Sequence, residues 1–260
     1  MSRFGIQLYS VKDEIKEYGL DTVLAEIKAA GYDCVEFAGF YGLTPVEMKG
    51  MLEKHGLKGV SAHMSAGAVA ENIEYIDTLG IERIYVAWMG ADALFGDKHA
   101  EAVEEIKAAK ALLDARGVVF GYHNHAHEYA DGKDGVYTLI TDVEGYTAQL
   151  DLFWAKVGGH EPTELMKKYG DKLSCLHIKD LDKNWKPGES ADAYPCAIIG
   201  EGQADCEGSM KLALDMGIDL FILEVEGFPC DWREYLKKSC DNMKKFAQDR
   251  KSTRLNSSHA

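Results

Sequence analysis

The chain lacks several features that would assign it to other classes of protein. No stretch approaches 18 uninterrupted apolar residues, and the start MSRFGIQLYSVKDEI has no basic segment followed by an apolar run. We therefore expect no membrane partner and a cytoplasmic location. Lysine and arginine total 29 against 43 aspartates and glutamates, a formal net charge of -14. This balance argues against a nucleic-acid partner, because phosphate binding depends on clustered Lys and Arg.

Two kinds of local motif are also missing. The six cysteines form no CxxC pair and no dense framework, so we expect reduced thiols without a function. No glycine-rich phosphate loop occurs, which favours a substrate without a phosphate group. We expect a small sugar as the partner; a homo-oligomer is left open.

The dominant pattern is a short β-rich run, a polar turn and an amphipathic stretch, repeated along the chain. The runs that predict strands are 4–8, 34–37, 59–63, 83–87, 118–123, 148–151, 173–178 and 220–225. The stretches that predict helices are 20–30, 45–55, 69–79, 99–116, 162–169, 207–216 and 231–247. Eight strands in a chain of 260 residues predict a single-domain α/β protein, a (β/α)8 TIM barrel over residues 1–248.

The two remaining segments do not follow the repeat. Residues 249–260, DRKSTRLNSSHA, are polar and aperiodic and look like a translated sequencing adapter, so we expect a non-native tail. Residues 181–205 form a long irregular loop after the seventh predicted strand. Such a loop lies at the catalytic face of a barrel, and we expect a lid or a substrate wall rather than a disordered insertion.

Polar residues gather at the carboxyl ends of the predicted strands, where a barrel builds its active site. Histidine and carboxylate side chains are concentrated there, which makes a metal site the leading interpretation. The residues at or just past strand ends are Gln7, Glu36, His63, Trp88, His123, His125, Glu128, Asp151, His177, Lys179, Glu224 and Glu226.

The densest local signal is YHNHAHE at residues 122–128. Three histidines and a glutamate are costly to bury without partners, and such side chains bind Mn, Fe, Co or Zn well. Strand alternation places His123 and His125 on one face, with Glu128 reaching back from the turn. An exposed polar turn without any ligand is the alternative.

With these motifs the chain resembles the sugar phosphate isomerase/epimerase family of the xylose isomerase-like TIM barrel superfamily. That superfamily also includes endonuclease IV, inosose dehydratases and C-glycoside-cleaving enzymes. The resemblance rests on YHNHAHE (122–128), QLDLFWA (149–155), LHIKD (176–180), IGEGQAD (199–205) and LEVE (223–226), in that order.

The resemblance implies one divalent metal, commonly Mn, with Mg, Co, Fe or Zn as alternatives. Carried over by motif, the ligands are Glu128, Asp151, His177 and Glu224. Many relatives carry the first glutamate at the position of His123, so either Glu128 replaces it or His123 itself is a ligand. We expect Glu128.

A metal of this kind would support proton abstraction next to a carbonyl, through an enediolate. We expect a sugar isomerase or epimerase acting on a keto sugar or polyol. A lyase or dehydratase of a keto sugar, inosose or C-glycoside, and a catalytically silent sugar-binding subunit, are the alternatives. The expected acid/base groups are His123, His125 and Lys179. The expected substrate contacts are Gln7, Glu36, His63, Trp88 and Trp154.

Overall fold

The structure, a computed structural model, describes residues 2–191 and 195–257, and for residues 249–257 the backbone alone. Eight parallel strands close into a barrel in the order β1-β10-β7-β6-β5-β4-β3-β2. Their bounds are β1 Arg3–Gln7, β2 Cys34–Phe37, β3 Lys58–His63, β4 Arg83–Val86, β5 Val119–His123, β6 Thr147–Asp151, β7 Leu173–Ile178 and β10 Leu220–Leu223.

Closure is made by the first and last strands, where Gly5 pairs with Ile222 and Ile6 pairs with Leu223. The predicted TIM barrel is thereby confirmed. Two very short strands, β8 Asp180–Leu181 and β9 Cys196–Ala197, form an antiparallel pair outside the barrel.

Helices surround the barrel, and most of them bury one face. In α2 the buried side chains are Val23, Leu24, Ile27 and Ala30, a spacing that forms one stripe on a helix. The helices are α1 Lys12–Tyr18, α2 Leu20–Ala30, α3 Pro45–His55, α4 Ile73–Leu79, α5 Ala91–Phe95, α6 His99–Asp114, α7 Gly135–Asp142, α8 Leu152–Val157, α9 Pro162–Tyr169, α10 Cys206–Asp215 and α11 Trp232–Ser257. None of the helices described is long and apolar enough to cross a membrane.

The ends of α3 show why these boundaries could be predicted. Thr44 and Glu47 form a reciprocal capping box at the start of the helix. Gly56 ends the helix with φ +63°, a left-handed conformation that a side chain disfavours. The predicted helix 45–55 matches the observed one.

The last helix extends further than the periodic pattern predicts. It continues to Ser257 and so includes most of the polar segment 249–260. Residues 258–260 lie outside the described part of the chain, and the non-native origin of this tail stays a prediction.

Candidate metal centre and active site

Strand alternation places an apolar layer and a polar layer inside the barrel. Cys34, Cys175 and Ile222 belong to a small buried apolar cluster. Two positions further along the same strands or just past them lie Glu36, His177 and Glu224, and side chains two apart on a strand share a face. The polar layer therefore lies above the apolar one, at the carboxyl ends of the strands.

Four of these polar side chains form a group that could hold a metal ion. One ligand atom from each of His123, Asp151, His177 and Glu224 lies within 4.8 Å of the others. All four side chains are buried; the most exposed, Glu224, has 5% of its surface accessible. Two imidazoles and two carboxylates are a suitable donor set for Mn, Fe, Co or Zn.

One atom of this group supports a metal rather than an ordinary polar core. Asp151 Oδ2 is buried and has no hydrogen-bond partner among the described residues. An unsatisfied buried polar atom costs about 1–3 kcal/mol, and coordination would remove that cost. Burial also raises the pKa of Asp151 to about 7, although the positive charge of Lys179 acts to lower it. A bound cation would favour the ionised carboxylate. The residues present fit a divalent ion.

His177 lies between two carboxylates. Its Nδ1 is 2.6 Å from Glu224 Oε2, and its Nε2 is 2.6 Å from Glu36 Oε1. Burial lowers the pKa of His177, but Glu36 and Glu224 outweigh burial and raise it to about 10. The imidazole is therefore protonated between the two anions, and a metal ion at Nδ1 would replace one proton.

Glu36 is the centre of a hydrogen-bond network beside the metal group. Its Oε1 accepts hydrogen bonds from Gln7 at 2.9 Å and His177 at 2.6 Å, and its Oε2 accepts one from Gln149 at 2.8 Å. His63 Nε2 also lies 3.0 Å from Oε1. Burial acts to raise the pKa of Glu36, but His63 and His177 hold it well below its usual range.

Glu128 is not brought to the metal group. Its Oε1 accepts a hydrogen bond from the Tyr122 hydroxyl at 2.8 Å, and its Oε2 accepts one from the His125 backbone N–H at 2.8 Å. The nearest metal-ligating side chains are His125 and His127. Strand β5 ends at His123, and Glu128 lies in the turn at residues 127–132 that follows it. This turn brings the Glu128 carboxylate back against Tyr122 of the same strand. The structure brings His123, the alternative ligand, rather than Glu128 into the group of Asp151, His177 and Glu224.

A cavity of about 390 Å³ opens over the metal group. Its walls include the predicted residues His63, Trp88, His123, His125, Trp154 and Glu224. The ring of His125 makes a T-shaped contact with the ring of His123, with 5.0 Å between the ring centroids. The buried Nδ1 of His125 has no hydrogen-bond partner among the described residues. Burial lowers the pKa of His125 to about 4, which keeps this imidazole neutral at pH 7.

Lys179 is fully buried beside the cavity rather than in its wall. Its ammonium forms an ion pair with Glu226 and lies 4.3 Å from the Phe153 ring centroid and 4.5 Å from that of Trp154. A buried cation needs such partners, because desolvation of an unpaired charge is costly. The carboxylate of Glu226, not the ammonium of Lys179, is the group of this pair that lines the cavity.

Two residues expected to contact substrate occupy other positions. Gln7 and Glu36 are fully buried, bonded to each other, and do not belong to the cavity walls. The carboxylate of Glu36 is held among Gln7, Gln149 and His177 and does not face the cavity. Trp88, by contrast, lies at the rim with 64% of its surface exposed.

Three residues of this region were given no function from the sequence. Tyr9 and Glu226 line the cavity, and Gln149 joins the network around Glu36. Gln149 could have been found, since it precedes Asp151 by two positions and so shares its face. Tyr9 carries no comparable signal, because it belongs to a short 3-10 turn after β1.

The long loop after β7 is held by one side chain. Asp180 Oδ1 accepts hydrogen bonds from the backbone N–H groups of Leu181 and Ala204, both at 3.0 Å. Its Oδ2 accepts from Gly200 at 2.8 Å and Gly202 at 3.0 Å. The motif IGEGQAD is thus an ordered turn around a buried carboxylate. The central residues 192–194 lie outside the described part of the chain, and a lid function stays a prediction.

Comparison with known proteins agrees with this architecture. A protein named inosose dehydratase from Geobacillus kaustophilus is 23% identical over 213 residues, 69% of each chain. A crystal structure of a sugar phosphate isomerase/epimerase from Parabacteroides distasonis aligns with a TM-score of 0.70 at 22% identity, covering 92% of both chains. A xylose isomerase-like TIM barrel protein from Mycobacterium smegmatis in complex with magnesium aligns with a TM-score of 0.72 at 16% identity, covering 95% of this chain and 96% of the other.

The family assignment follows from a match over most of the barrel. The sequence profile of the xylose isomerase-like TIM barrel family matches residues 24–246, which extend from α2 to the last helix. The chain belongs to the xylose isomerase-like TIM barrel family.

Proposed function

We propose that this chain is a metal-dependent enzyme that removes a proton beside the carbonyl of a keto sugar or keto polyol and then eliminates water. The observation that carries the proposal is the buried group of His123, Asp151, His177 and Glu224 at the base of a cavity lined by a further imidazole, His125. The dehydratase names of the sequence relatives support elimination.

The metal would be held by His123, Asp151, His177 and Glu224. When bound, a divalent ion supplies a Lewis acid that polarises the carbonyl and stabilises the charge developing on its oxygen. The magnesium in the Mycobacterium smegmatis structure supports a divalent ion, and Mn remains our expectation.

The chain's own side chains would do the rest. His125 presents an unpartnered Nδ1 and is the group we assign to proton transfer. Trp88 and Trp154 offer apolar surface for the face of a sugar ring. The described lining of the cavity includes the carboxylates Glu224 and Glu226 and no lysine or arginine, which favours a substrate without phosphate.

Isomerisation or epimerisation is the second candidate, because two imidazoles of the cavity wall, His63 and His125, could serve two faces of one carbon. The name of the Parabacteroides structure agrees with this reaction. Both reactions begin with the same proton abstraction, and they differ in whether the mass of the substrate is conserved.

The test is a mass-resolved screen of inososes, keto sugars and free ketoses with the Mn-loaded enzyme. Loss of water from one substrate supports the dehydratase, whereas a new peak of unchanged mass supports the isomerase. His125→Ala is the matched inactive control. A metal-loaded protein that converts none of these substrates would contradict both and leave a sugar-binding subunit.

A further inference from the structure

The polar network beside the metal group assigns a function to Glu36 that differs from substrate binding. We infer that Glu36 is a positioning residue, which holds the Nε2 proton of His177 and so leaves Nδ1 for the metal. This inference rests on the proposed metal-dependent function and deepens it.

Geometry decides which nitrogen of His177 faces the ion. The Nδ1 side holds the carboxylate of Glu224, which belongs to the metal group of His123, Asp151, His177 and Glu224. The Nε2 side holds Glu36, which belongs neither to that group nor to a second candidate group of His63, His123 and His177. A ligating imidazole almost always donates its other ring N–H to such an acceptor, which sets the tautomer and the orientation of the ring.

The surroundings of Glu36 explain why it would not coordinate the ion itself. Gln7 and Gln149 donate to its two oxygens in addition to His177, and His63 Nε2 lies 3.0 Å from Oε1. Gln7, Gln149 and His177 belong to different strands, β1, β6 and β7, so the carboxylate is held from several sides of the barrel. A carboxylate with three donors and a neighbouring imidazole is stabilised as an anion and has little free lone-pair capacity for a metal.

The first measurement is the Mn²⁺ affinity of chelator-stripped protein by calorimetry. Loss of an outer-sphere partner weakens metal binding by about 10–100-fold, and we expect this range for Glu36→Gln, with a smaller loss for Glu36→Asp because the anion is kept. The exposed Glu74→Gln is the matched control with wild-type affinity. Glu36→Gln within twofold of wild type would overturn the inference.

The second measurement needs no folded Glu36 variant. Histidine-selective ¹⁵N spectra of the Zn²⁺-loaded wild-type protein report the tautomer of each ring, with His177→Gln used to assign the signal. We expect a proton on Nε2 and a metal-shifted Nδ1. A proton on Nδ1 would overturn the inference while leaving the metal site intact, whereas a wild-type protein that binds neither Mn²⁺ nor Zn²⁺ would contradict the proposed function itself.

Discussion

His123 Nε2 lies 3.8 Å from Glu224 Oε2, although the two residues are 101 positions apart in the chain. Glu128, only five positions after His123, bonds instead to Tyr122 and to the His125 backbone. The barrel fold therefore gives these two residues of the motif YHNHAHE different surroundings and different functions. His123 faces the metal group, and Glu128 stabilises the turn that follows its strand.

This division predicts opposite results for two substitutions. His123→Ala should abolish stoichiometric Mn²⁺ binding, because one of four ligands is lost. Glu128→Ala should keep the metal but lower the free energy of unfolding by about 1–3 kcal/mol, because Tyr122 and the His125 amide lose their acceptor. Calorimetry and urea unfolding measure the two effects. Metal loss in Glu128→Ala with retention in His123→Ala would restore the assignment made from the sequence.

His125→Ala should keep the metal and lose turnover. The His125 ring lines the cavity, but the four proposed ligands are other residues, namely His123, Asp151, His177 and Glu224. Loss of a general acid/base group costs about 10²–10⁴-fold in kcat. His55→Ala, at the end of α3 and outside the cavity walls, is the control. Wild-type kcat in His125→Ala would remove His125 from the mechanism.

Trp88→Ala should raise KM more than it lowers kcat. Trp88 is exposed at the cavity rim and carries no metal-ligating or acid/base group, so we expect its surface to contribute to sugar binding alone. Loss of one aromatic contact is worth on the order of 1 kcal/mol, roughly fivefold in KM. Tyr18→Ala removes an exposed aromatic ring elsewhere and should have no effect. A Trp88→Ala enzyme with unchanged KM would show that substrate does not reach the rim.

Asp180→Asn should loosen the turn 199–205. The two carboxylate oxygens of Asp180 accept four hydrogen bonds from backbone N–H groups. Asparagine replaces one of these oxygens with an N–H donor, so two of the four hydrogen bonds are lost. We expect a loss of about 2–4 kcal/mol in stability and faster hydrogen exchange at Gly200 and Gly202. Asp182→Asn is the control, because the Asp182 carboxylate accepts hydrogen bonds from the backbone and side chain of nearby Asn184. Unchanged exchange at both glycines would contradict this function of Asp180.

The barrel could be predicted from the sequence because each unit carries its own local signals. Capping residues such as Thr44, the terminal glycine Gly56 and the apolar stripe of α2 all act within a few residues. Asp151 and His177 were predicted as ligands for the same reason, since each ends or nearly ends a strand.

The depth of each side chain in the barrel could not be predicted. Whether Glu36 reaches the cavity or supports His177 depends on the stagger between strands, which includes register shifts after Val35 and after Ala148. The path of the turn after His123 likewise decides between His123 and Glu128 as the ligand. These are properties of tertiary packing and not of local patterns.

The central claim is that His123, Asp151, His177 and Glu224 together hold one divalent ion. Its most direct test is elemental analysis of the protein after Mn²⁺ loading and desalting, beside the Asp151→Asn/Glu224→Gln double variant. We predict about one ion per chain in the wild-type protein, as expected for a site with a single set of four ligands, and almost none in the variant. Substoichiometric metal in the wild-type protein, or equal metal in both proteins, would contradict the account.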